Sequence, residues 1–242
     1  MDKTKRICLW SGPRNISTAL MYSFAQRKDT TVVDEPLYAH YLIHTDARYY
    51  HPGASEVIAD QDNNGQRVVN HVLFGEYETP VVFFKHMTHH LVELYLEFLE
   101  DTINVILTRD PKDMLSSFVN QIENPTLEDT GYKQQLQLKE YLKHHKLPVL
   151  IVDSKEILIN PKQKITELCD FAGIPFDDNM LEWKAGARPE DGVWAKHWYH
   201  NVHKSTGFQP YKPKTDPFPE KLKELLEECE GFYKELAKDQ YR

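Results

Sequence analysis

The stretch that decides the fold is "ICLWSGPRNISTALMYSFAQR", Ile7 to Arg27. An apolar run ending at Trp10 passes through "SGPR" into an amphipathic pattern from Ser17 to Arg27. That is a strand, a turn and a helix. A helix N-terminus carries unsatisfied N–H groups and the positive end of the dipole. Placed after the first strand of a parallel sheet, it is an anion site. The loop supplies what such a site needs. Gly12 permits a sharp turn and Pro13 stiffens it. Arg14 is a forked cation, and Ser17 and Thr18 are hydroxyl donors in the first helical turn. It is not a Walker A loop: Ser17 stands in the place of the second glycine and Thr18 in the place of the lysine.

Working outward, the same alternation repeats. Strand patterns occur at "TTVVDEP" (Thr30–Pro36), "TPVVFFKH" (Thr79–His86), "TINVILTRD" (Thr102–Asp110) and "LPVLIVD" (Leu147–Asp153). Helical patterns occur at "THHLVELYLEFLE" (Thr88–Glu100) and "YKQQLQLKEYLKHH" (Tyr132–His145). Another begins at "DPKDMLSSF", with Asp110 as N-cap and Pro111 at the first helical position. "NPKQKITELCDFAGI" has Gly173 placed to end it, and the segment from Glu220 onward is amphipathic. The strands are apolar on both parities, as in a parallel sheet covered on both faces. The fold class is α/β: three layers, with a parallel sheet of about five strands flanked by helices. Residues 1–242 are read as one domain. Two regions break the rhythm. Asp46–Arg67 is polar and expected to be an irregular insertion. Ala185–Pro219 is aromatic, basic and proline-rich, as expected of a lid or binding segment.

Composition narrows the function. Hydrophobic residues make up 40%, enough for a sizeable core. The formal net charge is −8, which disfavours general binding of nucleic acid or polyanions. Any anionic ligand must meet a local cluster of cations. Cys8, Cys169 and Cys229 form no disulfide framework or CxxC pair. The N-terminal apolar run is too short for a signal peptide, and nothing approaches a membrane span. The expectation is a soluble, cytoplasmic protein with buried, reduced cysteines.

"GPRNISTAL" resembles the phosphosulfate-binding loop of the sulfotransferase family, P-[RK]-S-G-[ST]-[ST]-x-L, whose fold is P-loop-NTPase-like. The resemblance implies transfer of the sulfuryl group of 3′-phosphoadenosine 5′-phosphosulfate (PAPS), with 3′,5′-ADP as product and no metal requirement. By it, Gly12, Pro13, Arg14, Asn15, Ser17 and Thr18 hold the 5′ end. Asn15 and Ile16 stand where many members have Ser-Gly. A β-branched residue does not readily take φ > 0, so a different loop path is expected there. Family members hold the 3′-phosphate with an Arg at a strand end and a Ser eight residues on; Arg109 and Ser117 match that spacing. "SKEILINP…FAGIPF" resembles the family's "YEDLxxDP…FLG-[IL]-P" segment, mainly architectural.

For the base, "EPLY" resembles the "EPL[WY]" of carbohydrate-type sulfotransferases, which implies Glu35. Lys85 becomes a cation near the transferring group. His86, in a segment loosely similar to "K-T-H", becomes an acceptor-side group or rival base. Lys196 and Lys204 are candidates to close over the nucleotide. His197, His200 and His203 lie at i, i+3, i+6, not the i, i+4 of a zinc helix, so no metal is expected. The acceptor is expected to be a hydroxyl (or amine) of a small molecule, attacking in line with a carboxylate as general base, and Tyr38, Tyr41, Tyr49, Tyr50, Trp194, Trp198 and Tyr199 are candidate lining. Neither a nucleic-acid nor a membrane partner is expected, and the oligomeric state is open. Two alternatives stand beside this reading. One is a non-catalytic nucleotide-binding protein of the same fold. The other is a P-loop kinase or NTPase, since "TVVDE" also resembles a Walker B strand with Asp34 as magnesium ligand.

Overall fold

The computed structural model describes residues 4–238. Five parallel strands form one sheet in the order β2-β3-β1-β4-β5. They are β1 (Lys5–Ser11), β2 (Thr30–Asp34), β3 (Val81–Met87), β4 (Ile103–Thr108) and β5 (Val149–Asp153). Side chains alternate across the sheet as the period of two demands. Ile7, Leu9, Phe83 and Val105 face one layer, with Leu20, Met21 and Phe24 of the first helix and Ile165 and Leu168 of the helix Pro161–Ala172. Cys8, Trp10, Phe84 and Ile106 face the other, with Val68, Leu73, Phe98, Leu138 and Leu142. The helix after β1 therefore lies on the opposite face from the connections that follow its neighbours β3 and β4. That reversal opens a crevice at the carboxyl ends of the strands, where α/β sheets bind ligands.

Several local expectations hold. The first helix starts at Ser17 as expected, and ends at Phe24 rather than at Arg27. The Asp110 carboxylate caps the helix Pro111–Phe118 by accepting from the N–H of Lys112 at 2.9 Å, with Pro111 in the first turn. Gly173 ends its helix at φ 64°, where glycine carries no Cβ penalty. All three cysteines are free and buried.

Others are corrected. Thr88–Glu100 is not one helix. It has a 3₁₀ turn at Thr88–His90, a second at Glu97–Asp101, and Glu93 at φ 47° between them. Its apolar residues serve two surfaces: Leu91, Leu94 and Leu96 pack with the Trp10 layer, while Val92 packs with the Tyr38–Trp194 cluster. A single helical stripe reaches only one. Asp46–Arg67 is not irregular throughout, since it holds a helix at Ala54–Asp60 and another starting at Gly65. Ala185–Pro219 has little regular structure beyond Ala195–Trp198 and a short turn at Val202–Lys204. The final amphipathic segment is helical over Lys223–Ala237; its last residues, 239–242, lie outside the described residues. No helix among the described residues is long and apolar enough to cross a membrane.

Candidate active site

A cavity of about 410 Å³ opens at the carboxyl edge of the sheet. It is reached by Pro13, Arg14, Asn15, Ser17 and Thr18 from the first loop, Glu35 and Lys85 from β2 and β3, and Arg109 and Ser117 from the β4 side. Trp194, Trp198 and Tyr199 close it from the segment after residue 185.

The first loop is held in a strained shape. Arg14 sits at φ 54° and Ile16, the residue before the helix, at φ 47°. A β-branched isoleucine thus stands in a left-handed position that ordinarily falls to glycine. Such strain persists only where the surroundings over-determine it. Here the Asn15 side-chain amide donates to the Leu107 carbonyl at 2.6 Å, and the Arg109 guanidinium donates to the Arg14 carbonyl at 2.5 Å. The Ile16 side chain packs on the Phe83 layer. Gly12 does not line the cavity. A Cβ there would stand 2.8 Å from the Thr130 carbonyl oxygen, so its role is close backbone approach.

Arg14 and Arg109 converge because their loops follow the neighbouring strands β1 and β4. Arg14 Nε donates to Ser117 Oγ at 3.1 Å. Arg14 is thus beside the Arg109–Ser117 pair rather than isolated at the helix start. Neither guanidinium has a carboxylate partner among the described residues. Burial and the neighbouring Arg109 hold Arg14 below its usual pKa. Partial desolvation, Arg109 and Arg14 do the same to Lys214, which the motifs did not single out. Two or three unpaired cations in one place fit a polyanionic ligand.

The other end of the cavity holds a buried ionic knot. Lys85 Nζ donates to Asp34 Oδ1 at 2.9 Å, to Tyr199 OH at 2.7 Å and to Glu35 Oε1. All three ammonium hydrogens are thereby used. Tyr199 OH donates to Asp34, and the Trp194 indole N–H reaches Tyr199 OH at 3.1 Å. Burial, opposed by Lys85 and reinforced by Asp34, raises Glu35 to about 7. Its φ is 38°, so three of the five non-glycine residues with positive φ belong to the cavity.

Period two also separates Lys85 from His86. Lys85 faces the cavity; His86 faces the other layer, fully buried and stacked on Trp10 at 4.2 Å. Burial, then Lys85, lowers it to about 3. The structure does not bring His86 to the cavity, and Glu35 alone of the two candidate bases lines it. Lys196 pairs with Glu56 at 2.5 Å, exposed, and neither it nor the exposed Lys204 lines the cavity. His203 bonds Asp191 at 2.9 Å. No group of three metal-ligating side chains forms among the described residues.

A parallel sheet with a cationic loop after its first strand, facing a buried carboxylate, is an α/β architecture with its cavity at the carboxyl edge of the sheet. The sulfotransferase domain family matches residues 5–239, and the chain belongs to it. It is similar to the branched-chain-amino-acid aminotransferase-like protein 1 of Arabidopsis thaliana, at 39% identity over 234 residues, covering 96% of this chain and 42% of that one. Protein 2 of that name is 37% identical over 225 residues, covering 93% and 40%. The chain thus spans about two fifths of the length of these curated relatives. Its fold matches the sulfotransferase domain from the curacin biosynthetic pathway, with TM-score 0.60, 15% identity and coverage of 96% and 97%. It also matches mouse sulfotransferase SULT7A1 complexed with PAP, with TM-score 0.53, 13% identity and coverage of 99% and 86%.

Proposed function

We propose that the protein transfers the sulfuryl group of PAPS to a hydroxyl of a small acceptor. The observation that carries this reading is the convergence of three separate segments on one cavity. These are the strained loop with Arg14, the Arg109–Ser117 pair, and the Glu35–Lys85 knot. The adjacent unpaired guanidiniums fit a ligand with phosphate groups at both the 3′ and the 5′ position of one ribose. Ser17 and Thr18 sit in the first helical turn, where N–H groups favour an anionic oxygen. That the solved sulfotransferase with this fold is complexed with PAP supports the choice of nucleotide.

Sulfuryl transfer forms a bond from the acceptor oxygen to sulfur and breaks the bond from sulfur to the 5′-phosphate oxygen, which leaves as 3′,5′-ADP. The acceptor proton goes to Glu35. A base with a pKa near the working pH combines availability with strength. Asp34 makes that uptake possible. When Glu35 becomes neutral, Lys85 keeps one carboxylate partner, so no buried ammonium is stranded. Lys85, with its hydrogens spent on Asp34, Glu35 and Tyr199, positions the base. The helix N-terminus and Arg14 are left to meet the charge on the transferring group.

The test is calorimetry. 3′,5′-ADP is expected to bind at least tenfold more tightly than 5′-AMP, with no need for magnesium. Equal affinity for the two, or tighter binding of ATP with magnesium, would overturn the reading. Release of 3′,5′-ADP from PAPS with an acceptor then separates an enzyme from a binding protein of the same fold.

A further inference from the structure

The cavity wall beside Glu35 has a chemistry of its own. Tyr38 donates its backbone N–H to the Glu35 carbonyl, and its hydroxyl lies 2.9 Å from His51 Nδ1. The His90 ring stacks on Tyr38 at 4.9 Å and 14°, and Trp194 meets Tyr38 edge-on at 5.3 Å. Trp198 lies 6.1 Å from His51, and His89 packs against His90. All six line the cavity.

At one edge of this wall the Arg14 guanidinium donates to the Trp198 carbonyl at 3.4 Å; the wall's own six side chains carry no fixed charge. Four charged residues line the cavity among the described residues: Arg14 and Arg109 beside Ser117, and Lys85 and Glu35 bonded to each other. Burial lowers His51 to about 4 and His89 to about 3, and takes His90 well below its usual value. The imidazoles are neutral at pH 7, each with one donor and one acceptor nitrogen. His51 Nε2, His89 Nδ1 and His90 Nδ1 are buried with no partner, which native interiors seldom leave so.

Resting on the sulfotransferase reading, we propose that this wall is the acceptor subsite and that it selects an uncharged hydroxyl compound with a flat ring. The rings of Tyr38, Trp194 and Trp198 pack against the acceptor's face. A carboxylate or ammonium on the same ring loses its hydration and finds no free counter-ion on the wall, because Lys85 and Glu35 are bonded to each other and Arg14, at the Trp198 edge, is taken up by the nucleotide in this reading. Selection is by exclusion of charge as much as by contact.

Three probes share a phenol and a ring and differ in one group: 4-hydroxybenzyl alcohol, 4-hydroxybenzoate and 4-hydroxybenzylamine. With PAPS, kcat/KM is expected to be at least roughly tenfold higher for the alcohol than for either ion, the scale on which an uncompensated polar burial acts. A charged probe within threefold of the alcohol overturns the proposal. So does absence of turnover of the alcohol by protein that binds 3′,5′-ADP. Failure to bind 3′,5′-ADP instead overturns the parent reading. The half-buried His51 allows a second test. His51→Asp places a carboxylate on the wall and is expected to improve 4-hydroxybenzylamine relative to the alcohol about tenfold, with 3′,5′-ADP affinity reporting that the variant is folded. An unchanged ratio in folded protein overturns the assignment of the wall.

Discussion

The Tyr199 hydroxyl lies 2.9 and 2.7 Å from the two carboxylate oxygens of Asp34, a residue 165 positions away in the chain. This contact ties the irregular segment after residue 185 to the end of β2, beside Glu35. It also fixes how the charge on Lys85 is shared. Asp34→Asn removes the negative charge that raises Glu35 and leaves Glu35 as the sole carboxylate on Lys85. The Glu35 carboxyl, followed by ¹³C NMR, is then expected to titrate at least about one pH unit lower. Tyr199→Phe keeps both charges and is expected to move that titration less while weakening acceptor binding. An unshifted Glu35 titration in Asp34→Asn would remove Asp34 from the mechanism.

Glu35→Gln preserves size and removes basicity. Turnover is expected to fall by about 10²–10⁴, with 3′,5′-ADP affinity within a few-fold. In the wild type, kcat/KM is expected to fall on the acid side of about pH 7, because the protonated carboxyl cannot accept the acceptor's proton. A flat profile between pH 5.5 and 8, buffer ranges chosen to bracket that value, would argue against a carboxylate base.

Arg109→Ala is expected to weaken 3′,5′-ADP at least about tenfold while changing 5′-AMP little, since a charge-assisted phosphate contact is lost. Arg14 bonds Ser117 as well as facing the loop, so Arg14→Ala is expected to weaken both nucleotides. Calorimetry reads the two side by side. Equal losses for both nucleotides in Arg109→Ala would move the 3′ site elsewhere.

Stability is expected to fall with acid. His51, His86, His89 and His90 have folded pKa values lowered by burial. The unfolded chain therefore binds more protons than the folded one between about pH 6.5 and 4. Glu35, raised in the fold, opposes this with one proton above its usual value. Net uptake of about three protons on unfolding corresponds to a slope of roughly 4 kcal/mol per pH unit near pH 5.5. Urea unfolding from pH 7 to 5 measures it, and a stability independent of pH there would contradict neutral buried histidines.

Ile16→Gly deletes a half-buried side chain, yet is expected to cost under about 1 kcal/mol, because it relieves left-handed strain of roughly 1–2 kcal/mol. Urea midpoints decide. A loss of about 2–4 kcal/mol, as for an ordinary core truncation, would mean the φ of 47° stores little strain.

How much was legible differs from residue to residue. The five strands and their parallel direction, though not their order, follow from short apolar runs separated by helical patterns, because a strand buried on both faces needs apolar residues at every position. The caps at Asp110 and Gly173 were legible for the same local reason: their side-chain or backbone requirements lie within one helical turn. The loop of Arg14, Ser17 and Thr18 and the Arg109–Ser117 spacing could be written down from sequence. That the two arginines meet could not, because it depends on β1 and β4 being neighbours.

The sequence by itself determined the α/β alternation, the strand–loop–helix that carries Arg14, Ser17 and Thr18, and the Asp34–Glu35 pair at a strand end, since each is set by residues within a few positions of one another. Only the tertiary structure decided which side of β3 faces the cavity, and so that Lys85 enters the site while His86 stacks on Trp10. It alone brought Tyr199 to Asp34 from a segment with no periodicity to place it. It also lowered the pKa values of His51, His89 and His90 on the cavity wall, because a pKa depends on burial, and burial is a property of the whole packed chain.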